Sequence, residues 1–390
     1  MSVNINGSTG VSLVQDGVIV TADIADANIT TAKLASSVPL GAKNLIINGN
    51  MQIAQRGTSA TGITGDGLNT VDRFTRELNT AGTWTMTQDT DVPTGEGFAS
   101  SMKYSCTTAN ASLGSGAYFA IESRNEGQNF QQLKYGSANA ESVTLSFWVK
   151  SNKTGTYTLE FYRVDSNRDM SNTYTIDSAD TWEKKTITID GDTTGVIDND
   201  NGDGYRLLWW MGAGTAFTSG TLATSWATIS NPNRVSSSNV NLADSTDNYI
   251  NITGVQLELG STATAFEYRM YGQELALCQR YYQTSYPSGV AADGVTTITD
   301  GVTWVAINTA DTSNGGSYPT PMRATPTFTI YYPGGGSGVN SARDNDAGVA
   351  ITTIGYTGGT ATTLPRLTKG SGFTTRANTI AAQYTATSEL

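Results

Sequence analysis

VTLSFWVKSNKTGTYTLEFYRV, running from Val143 to Val164, is the stretch from which the fold can be read. In its first half Val143, Leu145, Phe147 and Val149 alternate with smaller or polar residues. In its second half Tyr157, Leu159, Phe161 and Arg163 oppose Thr158, Glu160 and Tyr162. A period of two puts alternate side chains on opposite faces of a strand, so each half predicts a strand with one face toward a core. The SNKTG segment between them is rich in turn formers and reads as a turn.

Working outward, the same pattern recurs. TWEKKTITID (181–190), YRLLWWMG (205–212) and YINITGVQLELG (249–260) predict further strands, each bounded by Gly, Asn, Asp or Ser. Toward the end, TWVAINTA (303–310), PTFTIYYP (326–333), GVAITTIGYT (348–357) and NTIAAQYTATSEL (378–390) do the same. Composition agrees: among 390 residues there are 42 Gly and only 9 Pro, with abundant Thr, Ser, Asn and Asp. Such a chain suits short strands and tight turns rather than helices. One helix is expected, in MYGQELALCQRYY (270–282), where Leu275, Cys278 and Tyr282 recur at helical spacing. The fold class is therefore all-β.

Four zones follow. Residues 1–42 hold a near-repeat in which GVIVTADIAD aligns with ANITTAKLAS, matching Ile19 to Ile29 and Ile24 to Leu34. Apolar positions five apart fit neither a helix face nor a strand, and so short a segment has no core of its own. The expectation is a repetitive stalk that packs against copies of itself or a partner, the alternative being a flexible tether. Residues 43–268 predict a jelly-roll β-sandwich, 269–283 a helical connector, and 284–390 a C-terminal β-sandwich.

The net charge of −11 argues against a phosphate backbone as partner, so no nucleic acid is expected. The chain contains no His, which excludes Ser–His–Asp and Cys–His catalysis and His-based zinc sites. Cys106 and Cys278 read as buried apolar residues rather than as a disulfide or metal set. The opening residues lack the basic and apolar regions of a signal peptide, and no run of about eighteen apolar residues predicts membrane insertion. No nucleotide-binding glycine motif stands in a strand-to-helix context.

Three sets of residues invite chemistry. DNDNGDG (198–204) offers Asp198, Asp200 and Asp203 as oxygen ligands for a structural calcium, the one cofactor the sequence suggests. The EF-hand pattern fails, because counting from Asn199 the twelfth position is Trp210 rather than Glu; a turn of solvated carboxylates is the alternative. Glu122, Glu126, Asp165, Asp169 and Glu183 are the carboxylates from which a glycosidase pair would have to come. Binding of sugars is the stronger expectation, since a sugar wants an aromatic platform beside polar groups. Trp209, Trp210, Trp226, Tyr162 and Arg163 are the candidates. Trp209 and Trp210 must point to opposite faces, one to the core and one to the surface or an interface. Trp84, Trp148 and Trp182 are assigned to cores.

The order of these motifs carries a resemblance. NLIINGNMQIAQRG (44–57), VTLSFWVKS, TWEKKTITI and NITGVQLELG resemble successive segments of galactose-binding-like jelly rolls, an architecture shared with carbohydrate-binding modules. Together with DRF (72–74) and EYRMYGQELALCQRYYQ (267–283), they are similar to bacteriophage structural proteins of the tail-fibre type; PMRATPTFTIY (321–331) resembles the C-terminal unit accompanying them. The resemblance implies a non-enzymatic virion protein, assembled in the host cytoplasm. It would form homotrimers, dock on a tail or adaptor protein through its N-terminus, and adsorb to host surface polysaccharide or lipopolysaccharide. Alternatives are a capsid-decorating fibre or tail adaptor, and a polysaccharide depolymerase tailspike.

Overall fold

The computed structural model describes residues 43–292, 302–308, 310–333, 339–369, 373 and 378–390. The stalk residues Ile19, Ile24, Ile29 and Leu34 lie outside the described residues.

Twelve strands build two six-stranded antiparallel sheets. They are β1 (Ser59–Ile63), β2 (Phe74–Asn79), β3 (Thr83–Asp89), β4 (Ser101–Thr108), β5 (Tyr118–Glu126) and β6 (Val143–Ser151). Then follow β7 (Gly155–Arg163), β8 (Arg168–Ile176), β9 (Glu183–Ile189), β10 (Asp203–Ala213), β11 (Ala227–Thr228) and β12 (Tyr249–Leu259). One sheet has the order β1-β3-β4-β12-β6-β9, the other β11-β8-β7-β10-β5-β2. Consecutive β6 and β7 therefore enter different sheets, and the expected turn carries the chain from one layer to the other. The alternation holds nonetheless, because both sheets bury the same parity. Val143, Leu145, Phe147 and Val149 meet Tyr157, Leu159, Phe161, Leu207 and Trp209 in a common core.

Two features shape the layers. In β12 the register against β6 passes from Thr253 opposite Trp148 to Gln256 opposite Ser146, so one extra residue bulges. Gly254 sits there at φ +63, and a β-carbon on it would come within 2.7 Å of the Phe98 ring. In β10 both faces are buried. Tyr205, Leu207, Trp209 and Met211 face the main core. Leu208 and Trp210 face the other way, into a small cluster with Ala120 and Val235 beneath the segment after β10. That segment contains the one-turn helix α1 (Thr215–Thr218) and folds back over the outer face of its own sheet.

After the sandwich, α2 (Tyr271–Gln279) leads into β13 (Tyr282–Thr284), so Tyr281 and Tyr282 leave the helix that their spacing suggested. The remaining strands are β14 (Val302–Val305), β15 (Asp311–Asn314), β16 (Thr327–Tyr331), β17 (Ala342–Asp344), β18 (Val349–Ile351), β19 (Gly355–Thr357), β20 (Arg366–Thr368) and β21 (Thr379–Thr387). β21 is central, with β13 and β16 along Thr385–Thr387 and β14 and β17 around Ile380–Ala381. β15, β20 and β19 form a separate three-stranded sheet over the same core of Trp304, Phe328, Ile330, Leu367 and Tyr384. GVAITTIGYT is not one strand: Thr353 at φ +62 breaks it into β18 and β19, which join different sheets.

The chain's end ties the two parts together. Glu389 accepts from Arg56 (2.9 Å) and pairs with Arg73, whose guanidinium lies 3.4 Å from the centroid of the Tyr281 ring. Arg280, the residue after α2, grips the buried Glu126 through Nε (2.6 Å) and Nη2 (2.8 Å).

Candidate functional site

Because the segment after β10 covers only part of the outer face of the β11-β8-β7-β10-β5-β2 sheet, the remainder forms a partly open strip. The register places its side chains in three cross-strand rows. The first contains Asp169, Tyr162, Arg206 and Arg124; the second Ser171, Glu160, Leu208, Glu122 and Thr75; the third Thr173, Thr158, Trp210, Ala120 and Glu77.

Tyr162 is half-buried, and its hydroxyl donates to Asn167 Oδ1 at 3.2 Å. Two guanidinium groups flank the ring, Arg206 at 5.7 Å and Arg234 at 6.0 Å from its centroid. Each is held from below by a fully buried carboxylate. Glu122 accepts from Arg206 Nη1 at 3.1 Å and from Arg124 Nε at 2.7 Å. Glu160 accepts from Arg234 Nε at 2.9 Å and from Trp210 Nε1 at 2.8 Å. Asp203 adds a 2.7 Å contact from Arg206 Nε, and the main-chain carbonyl of Leu390 accepts from Arg124 at 3.0 Å. Arg234 also lies over Trp210, 5.0 Å from its ring centroid.

Burial is the dominant electrostatic influence. It raises the Glu122 carboxyl to about 7, helped by the charge of Glu77 and opposed by Arg124 and Arg206. Glu160 is raised for the same reason against the pull of Arg234. Asp169 is raised to about 7 by burial and then by the charge of Glu160, and neither of its oxygens has a hydrogen-bond partner beyond its own residue. Chemically, then, the strip offers a planar ring beside two fixed, multi-donor cations. Both oxygens of Glu122 and of Glu160 are engaged by these donors, which suits them to positioning rather than to proton transfer.

Of the residues singled out in the sequence, Tyr162 belongs to this strip. Trp210 lies beneath it at 1 % exposure, a support for Arg234 rather than a platform. Trp209 is wholly buried between the sheets, so neither member of the pair reaches the surface. The covering segment after β10, which local periodicity does not reveal, is the reason. Arg163 is also wholly buried: it pairs with Asp192 at 2.8 Å below the Tyr135 and Trp226 rings, and burial lowers its pKa. Trp226 is half-buried and donates to the Asp190 carbonyl at 2.8 Å. Trp84 is in the core as expected, whereas Trp148 and Trp182 are only half-buried, and Trp182 donates to Asp91 at 2.9 Å.

Asp198, Asp200 and Asp203 are not gathered around a common point. Asp200 closes its own turn by accepting from Gly202 N at 2.8 Å, Asp203 turns to Arg206, and Asp198 has its amide on Asp165 at 2.9 Å. Among the described residues no group of three or more acidic or sulfur ligands is arranged to hold a metal ion. The residues that reading by motif overlooked are Arg206, Arg234 and Glu160. Glu160 and Arg206 stand on strands whose alternation is visible, but Arg234 follows a short helical turn 72 positions beyond its neighbour Tyr162 and arrives only by tertiary folding.

The described molecule is a two-sheet β-sandwich followed by a second, smaller β unit. Neither protein-family models nor curated protein sequences match the chain. Solved structures give remote likenesses. One is the enzymatically active domain of tailspike protein 4 of bacteriophage CBA120, at 14 % identity and TM-score 0.29 over 55 % of this chain, spanning only 21 % of the tailspike chain. Another is the CBM22-2 xylan-binding domain of Paenibacillus barcinonensis Xyn10C, at 13 % identity and TM-score 0.26 over 55 % of this chain and 97 % of the other. A third is a family 11 carbohydrate-binding module of Clostridium thermocellum, at 11 % identity and TM-score 0.24 over 53 % and 98 %.

Proposed function

We propose that this chain is a non-catalytic glycan-binding protein whose contact surface is the strip around Tyr162. The observation that carries the reading is the pair of arginines flanking one aromatic ring, each anchored on a buried glutamate. A sugar presents an apolar C–H face and a rim of hydroxyls. Tyr162 can cover the first, and Arg206 and Arg234 can donate to the second without losing side-chain freedom on binding.

We further propose that the protein works in multiple copies as a homotrimeric tail fibre of a virus particle, adsorbing to host polysaccharide or lipopolysaccharide. A partly open strip of this kind favours weak individual contacts, which gain strength through avidity. A capsid-decorating fibre or a tail adaptor has the same requirements. The test is binding of the full chain to immobilised host polysaccharide and lipopolysaccharide, beside sedimentation in solution. Binding that disappears in Tyr162→Ala, with a mass of three chains, supports the reading; a monomer that binds neither surface overturns it. Release of reducing ends from the same polymers would instead establish the depolymerase alternative.

A further inference from the structure

The C-terminal β unit contains a pocket that the strip does not involve. It is small, about 140 Å³, and opens between the start of β16 and the turn after β19. Phe328 is its floor, buried and stacked on Tyr384 with ring centroids 5.1 Å apart and an interplanar angle of 21°. Tyr356 is one wall. Its ring meets Phe328 edge-on at 5.4 Å, its hydroxyl accepts from the Phe328 amide at 3.4 Å, and 42 % of the residue remains exposed. Such an exposed aromatic is held in place by its neighbours rather than by burial of its own.

The opposite wall depends on a glycine. At Gly359 a β-carbon would lie 3.2 Å from Pro365, so a larger residue here needs the proline to give by a few tenths of an ångström. No charged side chain lines the pocket, while the exposed hydroxyl residues Thr325 and Thr357 stand at its mouth.

We propose that this pocket is a second binding site, for a single neutral sugar ring. The volume is roughly that of five water molecules, well below the ordinary range for drug-sized ligands, which limits the occupant to about one ring. Aromatic and proline walls want an apolar face, and the absence of charge disfavours an ionic ligand. Threonines at the mouth want hydroxyls, which a purely apolar ring would leave unmatched. An uncharged pyranose satisfies all three. This inference stands independently of the Tyr162 strip, which differs from it in being built around ion pairs.

The test is titration of the full chain with the methyl glycosides of galactose, glucose, mannose and N-acetylglucosamine, followed by ligand-detected NMR. Prolinamide and methyl glucuronide serve as the competing apolar and charged ring probes. The expected result is Kd on the order of 1–10 mM for at least one neutral glycoside. It should weaken at least tenfold in Tyr356→Ala and in Thr357→Lys, and persist in Tyr162→Ala. Thr357→Lys acts at an exposed position, so a loss there is informative even if Tyr356→Ala unfolds. No neutral glycoside bound by the wild type, equal binding in Thr357→Lys, or preference for prolinamide or the glucuronide would overturn the proposal. Loss in Tyr162→Ala alone would assign the binding to the strip and likewise overturn it.

Discussion

Glu122 and Glu160 project from β5 and β7 into the same cross-strand row, one on each side of Leu208, and each fixes a different arginine beside Tyr162. Two carboxylates wholly withdrawn from solvent are an unfavourable thing to build into a sheet unless every donor around them is used. Here they convert long, flexible arginine side chains into rigid ones, which is what a surface for weak polar ligands requires.

Tyr162→Ala is expected to reduce affinity for the recognised glycan at least tenfold, equivalent to about 1.4 kcal/mol, by removing the ring that both arginines approach. Thermal stability should change little, since the ring is half exposed. Calorimetric titration beside a melting curve checks both halves; a large fall in melting temperature without a change in affinity would refute this role.

Glu160→Ala should be strongly destabilising, by roughly 3–5 kcal/mol, because it leaves Arg234 and the Trp210 indole without their buried acceptor. Urea unfolding should show a lower midpoint with an unchanged slope.

Asp169 provides a pH signature. Its carboxyl is raised to about 7 by burial and by Glu160, so the folded state holds a proton that the unfolded chain releases near pH 4. Stability from this group is therefore fully present below about pH 4 and lost as pH rises through about 7. Asp169→Asn removes the dependence. Compared with wild type, the variant should melt a few degrees higher at pH 8.5, by roughly 1–3 kcal/mol, and show little advantage at pH 4. Equal gains at both values would rule out the charge as the cause.

Asp192 carries both Arg163 (2.8 Å) and Arg168 (2.7 Å), and Arg163 is wholly buried. Asp192→Ala should cost about 3–5 kcal/mol, whereas glycan affinity of the fraction that remains folded should be unaltered. Selective loss of binding in a fully stable Asp192→Ala protein would return Arg163 to the list of contact residues.

Much of the fold is legible in the sequence because strand periodicity is local. The alternation in Val143–Val149 and Tyr157–Phe161 survives intact, and the buried states of Cys106 and Cys278 follow from their chemistry. The pairing of strands does not follow from periodicity: nothing in residues 143–164 says that the two halves belong to different sheets. The strip was half legible. Tyr162, Trp209, Trp210 and Arg163 are all candidates by side-chain type, and type does not report what covers a residue.

What the residues alone determined is a turn-rich, acidic, all-β chain without imidazole chemistry, because composition and a period of two act over a few neighbouring positions. Which faces stay open was decided by the tertiary structure. The return of the segment containing Phe217, Arg234 and Val235 seals Trp210 and supplies Arg234 to Tyr162. The contact of Arg234 with Tyr162 spans 72 positions and that of Val235 with Trp210 spans 25, distances that no local pattern reaches.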